Sequence, residues 1–234
     1  MNIDEFVEEI KKIGISLTNN QLNQLNEYYN LLIEYNKVMN LTGITEKKQV
    51  YLKHFYDSLC IVKVIDLKNE KTLCDVGTGA GMPGIILKIV YPNLKVTLIE
   101  AINKRVKFLN IVINKLNLKD IEVICIRAEE YAINTREKYD IVTCRAVSNL
   151  RVLLELCIPM VKVNKYFIPL KGIIETELEE SNNALFKLNC KILKIEKFKL
   201  PIEQSYRSIL KIQKTEKTNK LFPRKYSDIK KKLL

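Results

Sequence analysis

A single histidine, His54, stands in the 234 residues, and no two of the six cysteines form a C-x-x-C pair. Zinc sites built from clustered Cys and His ligands are therefore not encoded, and no bound metal is expected. No run approaches the roughly 20 apolar residues that cross a bilayer. The opening stretch, Met1 to Glu9, is acidic where a secretory leader would be basic. The chain reads as cytoplasmic, with no membrane partner, and is expected to be a monomer. Glycine is scarce as well: there are seven, and four of them fall between Gly77 and Gly84.

What is present is a surplus of positive charge. Lys and Arg number 39 against 27 Asp and Glu, a formal net charge of +12. Such a surplus favours a polyanionic partner such as nucleic acid. The abundance of Ile, Lys and Asn fits an AT-rich coding bias too, which accounts for part of the lysine excess. Cys74, Cys125 and Cys144 sit in apolar, strand-like runs and are expected as buried, reduced thiols.

Up to about Ile65 the spacing is helical. Thr18 and Gln21 form a capping-box pattern ahead of Leu22, Leu25, Leu32, Tyr35 and Met39. Asn40-Leu-Thr-Gly43 breaks that helix, and a second one carries His54, Asp57 and Leu59. From Lys71 strands alternate with helices, the pattern of a parallel sheet covered on both faces. Strand-like runs are 72–76, 95–99, 122–126, 140–144 and 166–170, and two last runs, 192–200 and 208–212, predict a hairpin finish. The division expected is a helical lobe over 1–66, an α/β domain over 67–214 and a basic tail over 215–234. That tail holds seven Lys or Arg against two acids, with Phe222-Pro-Arg-Lys-Tyr226 at its middle. It reads either as solvated chain or as a nucleic-acid arm through Arg224 and Lys225.

The glycine cluster satisfies two patterns. Gly79-x-Gly81-x-x-Gly84 matches a dinucleotide site, while Asp75-Val-Gly77-x-Gly79-x-Gly81 matches an S-adenosylmethionine loop. Both cofactors use the crevice at the carboxyl ends of the strands. They differ in charge. A dinucleotide brings a pyrophosphate, beside which Asp75 is a liability, whereas S-adenosylmethionine brings an ammonium group that Asp75 can meet directly or through water. Gly77 follows the strand, so the register favours the second pattern. Glu100, ending the next strand, suits the ribose hydroxyls of either cofactor. Arg127-Ala128-Glu129-Glu130 follows the third strand, where adenine would lie, although acids at a helix start need no ligand. Arg145 closes the fourth strand, and a salt bridge to Glu129 or Glu130 is its structural alternative.

None of the six prolines precedes a proline or a cysteine. The signatures of exocyclic-amine and cytosine C5 methylation are thus missing. A nucleophile needing neither, such as N7 of guanine, fits, with catalysis mostly a matter of positioning. O-methylation and protein targets stay open on this argument, as do an NAD-dependent oxidoreductase and a non-catalytic RNA-binding or assembly factor.

Several segments together resemble the bacterial small-subunit ribosomal RNA guanine-N7 methyltransferases, the glucose-inhibited division B family. They are Asn40-Leu-Thr, Tyr51-Leu-Lys-His-Phe-Tyr-Asp-Ser58, the loop 75–84, Asn103-Lys-Arg-Val-Lys-Phe-Leu109, Arg127-Ala-Glu-Glu130, Tyr139-Asp-Ile-Val-Thr-Cys-Arg-Ala-Val147 and Leu170-Lys-Gly172. The resemblance implies a Rossmann-like class I S-adenosylmethionine-dependent methyltransferase sheet acting on a guanine of the 530 loop (guanine-527) of 16S rRNA within the small ribosomal subunit. It places cofactor contacts at Gly77, Met82, Ala128, Glu129 and Arg145, with Glu100 on the ribose. It sets His54, Asp57 and Ser58 at the cleft mouth. Lys104, Arg105, Lys107 and Lys171 are candidates for holding RNA phosphate. Met82 replaces a larger or branched apolar residue, Asn164-Lys-Tyr replaces a glycine-rich turn, and Glu100 replaces a common aspartate.

Overall fold

Alternation at period two decides the architecture. Along adjacent strands Leu73, Ile141, Leu98 and Ile168 join one buried cluster, while Cys74, Val142, Ile99 and Phe167 join another on the opposite face. A sheet apolar on both faces must be covered twice. The computed structural model, which describes residues 1–145 and 148–234, shows both covers. Ala146 and Val147, the last two residues of one family-like segment, lie outside the described residues.

The chain begins with α1 (Ile3–Lys12) and α2 (Asn19–Met39), the latter opened by the Thr18–Gln21 capping box. Next come α3 (Lys47–Val50), a π-helical turn (Tyr51–Tyr56) and α4 (Asp57–Leu59). The expected single helix through His54 is therefore continuous but widened in the middle. The alternating part follows as β1 (Thr72–Val76), α5 (Gly84–Val90), β2 (Lys95–Glu100), α6 (Asn103–Lys115), β3 (Ile121–Cys125), α7 (Ala128–Asn134), β4 (Tyr139–Arg145), α8 (Leu150–Cys157) and β5 (Val161–Lys171). Then come α9 (Glu175–Glu180), α10 (Asn182–Lys187), β6 (Cys190–Lys199), β7 (Tyr206–Lys214) and α11 (Tyr226–Lys231).

Strand order is β3-β2-β1-β4-β5-β7-β6. The first five strands are parallel; β7 runs antiparallel to both β5 and β6, the expected hairpin finish. The order reverses beside β1, which opens a crevice at the carboxyl ends of β1 and β4. β5 is longer than its apolar run because Asn164 takes a left-handed conformation, φ 65°, and lets the strand continue through a bulge. Asparagine tolerates that region better than other residues with a Cβ, so it serves where a glycine turn was expected.

The N-terminal helices share a core with α5 and α6 instead of forming a separate one. Within it Phe6, Tyr51, Phe55 and Tyr28 pack ring on ring, at 5.3 Å, 4.9 Å and 5.7 Å in sequence. Each such contact stabilises by about 0.5–1.5 kcal/mol beyond burial. The rings pin one side of the π-helical turn and leave Lys53 and His54 for the sheet side.

Residues 215–234, expected as solvated chain or a nucleic-acid arm, pack on the second face. Ile229 is fully buried, and Arg136 donates to the carbonyls of Thr218 and Phe222, each at 2.7 Å. Cys125, expected to be buried, is exposed because β3 is the edge strand. Among the described residues no helix is long and apolar enough to cross a membrane.

Candidate active site

β1 carries Asp75 beneath the glycine loop as a completely buried carboxylate that lines neither neighbouring cavity. One oxygen accepts from the Thr78 hydroxyl at 2.6 Å and the Gly84 amide at 2.8 Å, and the other has no donor. Burial pushes its pKa up to about 6; the two hydrogen bonds and the Arg145 charge oppose the rise, and Glu100 adds to it. Gly84 makes this packing possible. A Cβ there would strike Leu98 and lie 2.9 Å from the Asp75 carboxylate, so only glycine lets α5 start this close to the strand.

Glu100 ends β2 and accepts from the amides of Gly79 (3.0 Å) and Ile102 (2.9 Å), with Arg105 3.5 Å away. An ionised carboxylate has about four lone-pair sites, so two remain for hydroxyl donors. Gly77, Glu100, Ala128 and Glu129 line one crevice of about 270 Å³. Asp75 and Glu100 thus both stand at the glycine loop. Two carboxylates there disfavour a pyrophosphate, whereas an orphaned buried acceptor and a half-used carboxylate suit an ammonium group and a ribose. Gly81 lies against the α2 residue Tyr28, where a Cβ would come within 2.9 Å of the hydroxyl, and that hydroxyl donates to the Ala80 carbonyl at 2.5 Å.

Arg145, the last residue of β4, spans from this loop to the N-terminal helices. It donates to the Lys53 carbonyl at 3.1 Å, and it stands 3.2 Å from Nδ1 of His54 and 3.4 Å from the sulfur of Met82. The π-helical turn explains the first contact. Widening the helix from i→i+4 to i→i+5 frees carbonyls that a regular helix would use internally. The Arg145 carboxylate partner is Asp57, at 3.8 Å, and not Glu129 or Glu130, the salt bridge weighed as its structural alternative.

His54 is held neutral. Burial and the Arg145 charge lower its pKa to about 3. Nδ1 lies 3.2 Å from both the Arg145 guanidinium and the Lys53 carbonyl; Arg145 can only donate, so pairing with it puts the ring proton on Nε2, 3.0 Å from the Thr42 hydroxyl, whereas pairing with the carbonyl puts it on Nδ1. Asn40-Leu-Thr42 is thereby tied to the site. Asp57 is almost fully buried, and burial raises its pKa while Arg145 and Arg207 oppose the rise. Arg207 of β7 reaches it at 3.2 Å. A second cleft, of about 340 Å³, is lined by Lys53, His54, Asp57, Arg145, Lys171 and Arg207. Sequence reasoning missed Arg207, which is 150 residues from Asp57 and lies in no motif.

The six candidate RNA contacts divide in two. Lys104, Lys107 and Lys225 are exposed. Arg105 stands against Glu100, Lys171 is buried with its amine on the Ser148 carbonyl (2.6 Å) and Glu177 (2.9 Å), and Arg224 forks onto Glu155 at 2.8 Å and 2.6 Å. Among the described residues no group of three or more His, Cys, Asp or Glu side chains is placed to hold a metal.

A family model described as rRNA small subunit methyltransferase G (GidB) matches residues 21–206. Ribosomal RNA small subunit methyltransferase G of Bacillus licheniformis is 47% identical over 228 residues, 96% of this chain and 95% of that protein. Its counterpart in Bacillus subtilis strain 168 is 46% identical with the same coverage. Among solved structures, a SAM-dependent methyltransferase from Aquifex aeolicus superposes with a TM-score of 0.53 at 21% identity, covering 72% of this chain and 94% of that one. M. jannaschii TYW2 in complex with AdoMet gives 0.52 at 17% identity, covering 63% and 70%. At these identities the likeness concerns the fold, a class I methyltransferase sheet.

Proposed function

The chain belongs to the family of rRNA small subunit methyltransferase G, and from that premise we propose that it transfers a methyl group from S-adenosylmethionine to N7 of a guanine in the 530 loop (guanine-527) of 16S rRNA, within the small ribosomal subunit. The bound cofactor supplies an electrophilic methyl group on a sulfonium. Asp75 and the loop 77–82 hold its amino-acid end, Glu100 holds the ribose, and Ala128 with Glu129 flank the adenine.

The choice of nucleophile rests on the protonation states around Arg145. A nucleophile that must lose a proton needs a base within reach. His54, with a pKa lowered to about 3 and its Nδ1 against the Arg145 guanidinium, is too weak a base. Asp57 has its oxygens on Arg207 and Arg145, and Lys53 is paired with Glu203 at 2.7 Å. Guanine N7 carries no proton and needs no such base. The cleft is cationic instead, and the major-groove edge of guanine presents two acceptors, O6 and N7. Donors at O6 orient the base and leave the N7 lone pair to attack. The base leaves its stack to reach the cleft, a cost of a few kcal/mol that is smallest in a loop.

The test uses small ribosomal subunits from cells lacking the modification, with labelled S-adenosylmethionine. Label on N7 of the 530-loop guanine, mapped by primer extension and mass spectrometry, is the expected result. Label on another position, or binding of the cofactor without transfer, refutes the assignment.

A further inference from the structure

Tyr226, at the start of α11, lies outside the family-model match of 21–206 and yet lines the cofactor crevice. It shares that crevice with Ile102, Ala128, Leu153 and Leu156. These residues give apolar lining to the crevice that Glu100 also lines, which suits an adenine if Glu100 holds the ribose. The ring remains 37% exposed, and the Lys230 amine sits 6.0 Å from its centroid.

The segment that presents Tyr226 is fastened to the same helix that supplies the crevice wall. Glu155, fully buried on α8 between Leu153 and Leu156, takes three bonds from Arg224: the backbone amide at 2.9 Å, Nε at 2.8 Å and Nη2 at 2.6 Å. Ile229 is buried on the far side of Tyr226, and Arg136 grips the carbonyls at 218, 219 and 222. The tyrosine is thus bracketed by two anchors two and three residues away. A side chain held this way loses little freedom on meeting a ligand.

We propose that the C-terminal segment completes the cofactor site, with Tyr226 as the aromatic wall against the adenine ring and the Arg224–Glu155 fork as the latch that positions it. The proposal rests on the S-adenosylmethionine reading and adds to it a binding residue from a segment whose sequence fits solvated tail or nucleic-acid arm. The ring contributes stacking surface; its hydroxyl is dispensable. Aromatic stacking on a nucleobase is sequence-tolerant and strong enough to change affinity about tenfold.

The protein contains no tryptophan, so Tyr226→Trp supplies a single tryptophan at the site, excited selectively to the red of the tyrosines. Its emission is expected to change saturably with S-adenosylhomocysteine and with adenosine alone. By calorimetry, Tyr226→Ala is expected to weaken S-adenosylhomocysteine binding about tenfold while Tyr226→Phe stays near wild type. Tyr226 is partly exposed, so all three variants should keep the wild-type melting temperature. Wild-type binding that Tyr226→Ala leaves intact, or emission from Tyr226→Trp that both ligands leave unchanged, overturns this proposal alone. A wild-type protein that binds no S-adenosylhomocysteine overturns the cofactor reading and this proposal with it.

Discussion

The Arg145 guanidinium stands 3.2 Å from Nδ1 of His54, joining the end of the fourth strand to the π-helical turn. The Arg145 charge helps to keep the histidine neutral, and the contact holds the guanidinium beside the cationic cleft. A single ammonium cannot reproduce the fork that meets Lys53, His54 and Asp57 together. Arg145→Lys should therefore lose about a hundredfold in methyl transfer while retaining its fold, measured by single-turnover transfer and thermal unfolding. Near-wild-type transfer would show that the fork is not needed.

His54 and Asp75 should give opposite pH signatures. The folded-state pKa of His54, about 3, lies below the unfolded value near 6.5. Its contribution is fully present above pH ~6.5 and is lost as pH falls toward 3. His54→Gln should accordingly flatten the acid limb of stability. Asp75 is the reverse. Its folded value of about 6 exceeds the unfolded value near 3.9, so stability present below pH ~4 is lost as pH rises through 6. Asp75→Asn should gain on wild type in melting temperature more at pH ~8 than at pH ~4.5, and should bind S-adenosylhomocysteine less well. Denaturant titrations across this range test both; a difference that does not vary with pH would contradict the assigned protonation.

Gly84→Ala forces a methyl group against Leu98 and the Asp75 carboxylate. Overpacking of this kind costs about 1–3 kcal/mol, and the displaced carboxylate should weaken cofactor binding as well. Calorimetric unfolding and S-adenosylhomocysteine titration would show both effects, and an unchanged protein would mean that α5 can shift freely.

Removing Arg224 leaves the buried Glu155 without its charged partner. Breaking a buried pair costs about 3–5 kcal/mol; with Arg224 a quarter exposed, a loss of about 2–3 kcal/mol is expected for Arg224→Ala. Adding Glu155→Gln to that variant should recover part of it, because the uncompensated charge is gone. The double variant being no better than the single one would argue that packing, and not charge, carries the effect.

Lys104 and Lys107 project from the first two turns of α6 and are exposed. If both meet phosphate, replacing them with alanine should make the salt dependence of RNA binding shallower by about 1–2 in the logarithmic slope. An unchanged slope in filter-binding or fluorescence titrations would remove them from the interface.

The sheet was readable because its cause is local. β1 is bounded as its apolar run predicts, and the other strands differ by a few residues at their ends. The glycine loop was readable for the same reason, since Asp75, Gly77 and Gly84 act within one βα turn. The π-helical turn was not, because one added residue in a helix leaves the apolar spacing almost unchanged over six positions. Cys125 was misjudged since an apolar run does not say whether its strand is central or at the edge. Arg207 had no local signal at all.

The sequence by itself determined the sheet, the glycine loop and the surplus of positive charge, since each follows from stereochemistry and composition within a short span. Only the tertiary structure decided which charges are free. Arg224 and Lys171, equal to Lys104 on a count of cations, are spent on Glu155 and Glu177. Those pairs form across chain segments far apart in sequence, where burial makes an unpaired charge too costly to leave, and no local pattern encodes which partner folding will bring.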